Sequence, residues 1–252
     1  MPVAQDLLQS IAVRKRELDA LRPLSEEALA QLQSFYDVEL TYTSNAIEGN
    51  TLTVRETAEV IAHGITVGGK PLKDHLEAID HHAALLWARE VASSPLPLEE
   101  RTIRDLHSRI VARSRPEIAG TYSPHARRVA GSAAVFPNPA KIPALMAALG
   151  QDLGTDLSAP AAIFAIHFRL TAIHPFSDGN GRTARLLMNL LLLRAGYPPL
   201  AVRPEDRAAY LAALEHGSVT GDTCAFQTLM HQRLDATLAE YIAALRQSYP
   251  PT

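Results

Sequence analysis

AAIFAIHFRLTAI-HPFSDGNGRTAR-LLMNLLLLR, residues 161–194, decides how this chain folds. In its first part Ile163, Phe164, Ile166, Phe168, Leu170 and Ile173 occupy nearly every side of a helical wheel. That pattern predicts a buried central helix rather than an amphipathic surface one. Leu186–Arg194 predicts a second very apolar helix, stopped by Gly196 and the pair Pro198-Pro199. Between them lie twelve residues of the opposite character: an imidazole (His174), a carboxylate (Asp178), two glycines, an amide (Asn180) and two arginines. A polar turn clamped between two buried helices marks an α-helical protein with its chemistry at the junction.

Working outward, helical periodicity continues in both directions. Ser25 before Glu26 and Glu27 reads as an N-cap with acidic residues in the first turn. Leu29, Leu32, Tyr36, Leu40, Thr43 and Ile47 then predict a long helix ending at Gly49-Asn50. Thr53 and Glu56 form a capping-box pattern for a short helix toward His63. Gly64–Pro71 approaches a phosphate-loop spacing. It fails because Pro71 stands where a hydroxyl is needed, a helix precedes it and no partner strand follows, so it reads as a turn. Leu72 to Trp87 and Glu99 to Arg113 predict two further helices, separated by Ser93-Ser94-Pro95. Arg128-Val129-Ala130 and Ala134-Val135-Phe136, around Gly131-Ser132, predict the one β-hairpin of the chain. Helices return at 142–153, after Pro204, and from about Asp222 toward Ser248. The pattern totals about nine helices and one hairpin.

Composition narrows the function classes. The chain has 252 residues, 47% hydrophobic and 20% charged, with a net charge of −3. That is a folded globular protein with no overall basic character, so no nucleic-acid partner is expected. Arg113, Arg115, Arg127 and Arg128 form one local basic cluster, read as solvated surface. The single cysteine, Cys224, excludes an intramolecular disulfide and a cysteine metal cage. Residues 1–18 lack an apolar signal core, and Leu186–Leu193 is too short to span a bilayer. A cytoplasmic protein with no membrane partner is expected. His81, His82 and His167 raise a metal hypothesis, but His167 and His174 are seven residues apart, beyond the spacing of helical zinc sites.

The turn itself carries chemistry. Gly179 and Gly181 place backbone N–H groups at the start of the second buried helix, where unpaired donors and the helix dipole favour an anion. Arg182 and Arg185, three apart, share a face there and suit neighbouring phosphates. Asp178 suits Mg2+, which takes one or two carboxylates plus phosphate oxygens. His174 titrates near neutrality and suits proton removal from an attacking hydroxyl. Taken singly, each residue fits an ordinary helix–turn–helix junction. The set of twelve does not.

These residues resemble the Fic family motif, HxFx(D/E)GNGRxxR, and match it at every fixed position. The resemblance implies an all-α, Fic-type helical bundle with a small β-hairpin flap. It also implies AMPylation, the transfer of AMP from Mg-ATP to a Tyr, Ser or Thr hydroxyl of a target protein, and self-modification. By that resemblance His174 is the base and Asp178 the magnesium ligand. Asn180, with the Gly179 and Gly181 backbone, holds the α- and β-phosphates; Arg182 and Arg185 take the outer phosphates; Phe176 anchors the loop. The flap, Val129-Ala130-Gly131-Ser132, would hold a target segment by strand addition. Many members carry an arginine after the Gly-x-Tyr preceding the flap, whereas here Ser123 follows Gly120-Thr121-Tyr122.

A second stretch, Ser44-Asn45-Ala46-Ile47-Glu48-Gly49, resembles the family's inhibitory motif, (S/T)xxxE(G/N). It implies that Glu48 contacts Arg185 and keeps the γ-phosphate from binding productively. An anion near a helix C-terminus is otherwise unfavourable, which asks for a specific partner. The resemblance divides the chain into an N-terminal helical extension (1–36), a catalytic core with its inhibitory helix (37–200) and C-terminal helices packed on the core (201–252). A homodimer is expected by analogy. Two other functions compete: removal of AMP from modified protein, alone or alongside its addition, and non-catalytic nucleotide sensing. An intact base at His174 and a carboxylate at Asp178 argue against the last, because binding alone needs no base.

Overall fold

The computed structural model describes residues 3–128 and 133–248. Among them are ten α-helices: α1 (Gln5–Ala20), α2 (Glu26–Ile47), α3 (Val54–His63), α4 (Leu72–Ser93), α5 (Glu100–Ile110), α6 (Ile142–Asp152), α7 (Pro160–Ile173), α8 (Asn180–Arg194), α9 (Arg207–Thr220) and α10 (Cys224–Ser248). Short 3-10 turns at Pro116–Ile118, Pro139–Lys141 and Pro204–Asp206 complete the regular structure. None of the described helices is long and apolar enough to cross a membrane.

Local chemistry accounts for the boundaries. The Ser25 side chain accepts the Ala28 N–H at 3.2 Å and opens α2. Thr53 and Glu56 close a reciprocal capping box on α3, and Gly64 ends that helix in the left-handed region. Pro204 begins a 3-10 turn and α9 follows at Arg207, so the proline pattern locates the approach to the helix rather than its first turn.

Helix α8, not α7, holds the centre. Twelve of its fifteen residues are buried, including both arginines, whereas α7 keeps one side toward the surface. Helices α4, α5 and α7 pack around α8, with α2 on its N-terminal half. Asn189 ties the following loop inward, donating to Leu200 O at 3.0 Å and accepting the Leu200 N–H at 2.6 Å. Gly217 of α9 lies so close to the Phe168 ring of α7 that a Cβ there would sit 2.7 Å from a ring carbon. Helix α1 packs along α10, burying Ile11 and Leu18. One continuous cluster of buried apolar side chains extends from Ile11 to Leu245.

The expected hairpin fares differently. Among the described residues no strand forms, and Ala134–Phe136, one expected arm, is irregular. Val129, Ala130, Gly131 and Ser132 lie outside the described residues. What is described is the root of this segment: Tyr122 makes an isolated antiparallel bridge to Phe176, and the Ser123 N–H donates to Pro175 O at 2.8 Å.

Candidate active site

The α7–α8 junction is built by two backbone reversals. His174 caps α7 in the left-handed conformation at φ 51°, the sole non-glycine with positive φ among the described residues. A non-glycine there is uncommon, and the position is enforced by its surroundings. Gly179, at φ 74°, is the N-cap of α8. Between them the Phe176 side chain is fully buried, and Asn180 clamps its main chain. Asn180 Oδ1 accepts the Phe176 N–H and its Nδ2 donates to Phe176 O, both at 2.9 Å. The Asn180 amide therefore shapes the loop. The first-turn N–H groups of α8, at Asn180, Gly181 and Arg182, precede its first hydrogen bond, from Thr183 N–H to Gly179 O, and such groups suit an anion.

Arg182 and Arg185 part company despite their spacing. Arg182 is buried against α4, its guanidinium 3.2 Å from Glu77 and 3.5 Å from Asp178. Arg185 turns toward α2: its Nε donates to Ser44 Oγ at 3.0 Å and its Nη2 to Ser44 O at 2.9 Å and Glu48 Oε1 at 2.7 Å. Tyr210 of α9 lines the same cavity as Arg185. Glu48 is the C-cap residue of α2, and its carboxylate lies over α8 so closely that a Cβ on Gly181 would overlap it. A side chain at 181 would thus displace the flexible ends of Glu48 and Arg185 rather than strain the backbone.

His174, Glu48, Gly181 and Arg185 line one cavity of about 390 Å³, closed on other sides by Phe136, Tyr210, Leu211, Leu214 and Glu215. Phe136 packs on the His174 ring at 4.2 Å between centroids. Burial holds the His174 pKa below its ordinary 6.5, against a hydrogen bond to the Thr171 backbone and the charge of Glu48. The ring is consequently neutral at pH 7 and able to accept a proton. Asp178 is not among the residues lining this cavity; it is a third exposed, with Oδ1 accepting the Gly179 N–H at 2.6 Å and Oδ2 3.4 Å from Arg115.

Among the described residues no group of three metal-ligating side chains exists. A partly exposed single carboxylate beside an anion seat fits Mg2+, which retains waters and takes its remaining ligands from phosphate. His81 and His167 are buried. Burial, then Arg185 and Arg182, pushes His81 down to about 3; burial pushes His167 down to about 4.

Three participants escaped the sequence reading. Arg115 belongs to the basic cluster assigned to solvated surface, yet it pairs with Asp178 and Glu117, and Arg113 pairs with buried Asp80. Glu77 is a buried carboxylate on α4 facing Arg182. His107 is a fully buried polar residue on the apolar face of α5, beside Ile103, Leu106 and Ile110. That polar interruption of an apolar stripe was its only signal in sequence.

Comparison with known proteins agrees with this geometry. A sequence profile described as the Fic/DOC family matches residues 97–192. The chain is similar to the protein adenylyltransferase Fic of Nematostella vectensis, 34% identical over 210 residues that cover 81% of this chain and 48% of the relative. The chain spans about half the length of the curated relatives it matches. Fic-1 (residues 134–508) of Caenorhabditis elegans superposes with a TM-score of 0.88 at 26% identity, covering 97% of this chain and 73% of that one. A Fic domain containing signaling protein from Bacteroides thetaiotaomicron superposes with a TM-score of 0.86 at 31% identity, covering 94% of this chain and 97% of that chain. With that coverage and the motif geometry in agreement, the chain belongs to the Fic/DOC family.

Proposed function

We propose that this chain is a protein AMPylation centre held in check by its own glutamate. AMP would pass from ATP to a Tyr, Ser or Thr hydroxyl of a target protein, and to the chain itself. The observation that carries the reading is Glu48 Oε1 at 2.7 Å from Arg185 Nη2, in the cavity shared with His174 and Gly181. Phosphate binding needs Arg185 as a donor, and here its Nε and Nη2 are engaged by Ser44 and Glu48.

In the reaction the target hydroxyl oxygen bonds to the α-phosphorus, the bond to pyrophosphate breaks, and His174 takes the hydroxyl proton. The α8 first-turn N–H groups hold the phosphate oxygens, and positioning with electrostatic stabilisation supplies most of the acceleration. Asp178 would hold Mg2+, which when bound neutralises phosphate charge. Arg182, buried between Glu77 and Asp178, holds the Asp178 carboxylate in place.

Incubating the protein with ATP labelled on the α-phosphate tests the reading. Glu48→Gly is expected to raise incorporation at least about tenfold, equivalent to ~1.4 kcal/mol of barrier. His174→Ala in that background abolishes it. Equal labelling by the parent and Glu48→Gly would remove the inhibitory assignment.

One observation favours a second activity, hydrolytic removal of AMP. The Glu48 side chain is 40% exposed and opens into the same cavity as His174, where a carboxylate can orient an attacking water. AMP release from a modified protein by the parent, lost in Glu48→Ala, would support it.

A further inference from the structure

His107 lies outside both motifs and outside the cavity, yet its ring is the meeting point of two functional segments. It is fully buried and stacked on Phe176 with centroids 3.7 Å apart and planes 1° from parallel. Its Nδ1 accepts the Gly120 N–H at 3.1 Å, and its Nε2 faces Asp178 O at 3.0 Å. A backbone N–H can only donate and a carbonyl can only accept, so the neutral ring is fixed as the Nε2–H tautomer. Burial pushes the ring's pKa down to about 4, which keeps it in that neutral form.

What stands on each side of the ring matters. Gly120 is the left-handed residue, φ 63°, from which the chain enters Tyr122 and Ser123, the root of the segment leading to residues 129–132. Asp178 is the carboxylate assigned above to Mg2+, and its neighbour Gly179 is packed on the ring, where a Cβ would sit 3.5 Å from Cδ2 and Nε2. No other described side chain bonds both segments at once. We propose that His107 is a positioning residue that sets the flap root and the Asp178 loop relative to each other through its two ring nitrogens. The inference rests on the AMPylation reading for what the two segments do, but not for the coupling itself.

Isosteric geometry separates the two arms. Nδ1 is two bonds from Cβ, as is the Asn Oδ1; Nε2 is three bonds away, as is the Gln Nε2. In the Glu48→Gly background His107→Asn keeps an acceptor for Gly120, and His107→Gln keeps a donor for Asp178 O. Flap order is read by the rate of trypsin cleavage after Arg127 and Arg128, a measurement needing no activity. The Asp178 arm is read by the Mg2+ concentration giving half-maximal AMP transfer.

His107→Gln is expected to speed cleavage several-fold while the Mg2+ requirement stays near that of the parent background. His107→Asn should do the reverse. If both variants move both readouts by the same factor, in step with a lowered urea midpoint, the ring is only packing and the proposal fails. If Glu48→Gly transfers no AMP from any nucleotide, the functional reading fails while the cleavage comparison still judges the coupling. Side-chain 15N shifts of the unmutated protein give an arm free of folding defects. A proton on Nε2 with bare Nδ1 at pH 7 supports the proposal, and the opposite tautomer overturns it.

Discussion

At the scale of single residues, the site is governed by which partner each charged group has. Ser44 makes two contacts with Arg185, through Oγ at 3.0 Å and through its carbonyl at 2.9 Å. The hydroxyl is therefore half of the seat that aims the guanidinium at Glu48. Ser44→Ala removes one acceptor from a buried Nε and should cost about 1–3 kcal/mol of stability. It should also loosen the inhibitory pair, giving AMP incorporation between that of the parent and that of Glu48→Gly. Labelling identical to the parent would mean that Ser44 has no part in restraint. His174 gives a second test. Burial lowers its pKa, and the Glu48 charge works in the opposite direction. A base must be unprotonated to act, so in Glu48→Gly the rate should fall only when pH drops below 6.5, the ordinary imidazole value. An acid limb at or above 6.5 in the pH–rate profile would contradict the buried environment of the ring.

At the scale of elements, the α7–turn–α8 unit is where sequence and structure agree best, and the reasons are local. Apolar periodicity, Ser25, Thr53 with Glu56, and the stop at Gly196 act within a turn or two of the residue they affect, so α2, α3, α7 and α8 are legible in the chain. The start of α8 is legible too, because the two glycines and the arginines that follow them mark its first turn. In the structure Gly179 is the cap and Gly181 lies inside the first turn, facing the side-chain ends of Glu48 and Arg185. The motif residues were legible as a set, but their partners were not. Glu77 for Arg182 and Arg115 for Asp178 are chosen by the docking of α4 and of the α5–α6 connection onto α8, which no local spacing encodes. Asn180 illustrates the difference, since resemblance assigned it to phosphate while the geometry gives its amide to Phe176. Asn180→Ala leaves a buried N–H and a buried carbonyl unpaired and should destabilise by about 2–4 kcal/mol. Asn180→Asp, which keeps an acceptor for the Phe176 N–H, should lose less. Equal urea midpoints for the parent and Asn180→Ala would show that the turn does not depend on the clamp.

At the scale of the whole molecule, the core carries an unusual load of neutral imidazole. His81, His107 and His167 are all fully buried, and burial is the largest cause that lowers each one, to about 3, 4 and 4 respectively. Each packs a different junction: His81 lies between α4 and the two arginines of α8, His107 joins α5 to the catalytic turn, and His167 bonds Tyr210 across α7 and α9. In the unfolded chain these rings titrate near 6.5, so between there and about 4 the unfolded state binds more protons than the folded state. Stability must then rise with pH across that window: it is fully present above 6.5 and is lost as pH falls toward the folded values. Each ring contributes up to about 1.4 kcal/mol per pH unit while it titrates. Carboxylates contribute with both signs at the acid end, since Asp37, raised by burial but lowered further by His82 and Arg89, titrates below 3.8, while burial raises Glu39 above its ordinary 4.5. The urea midpoint is therefore expected to drop steeply from pH 7 to pH 5, before most acid groups protonate, and replacing His167 by Gln should flatten that slope by roughly one ring's share. A midpoint that stays constant over this interval would mean that the buried rings are solvated or already charged, contrary to the packing of all three junctions.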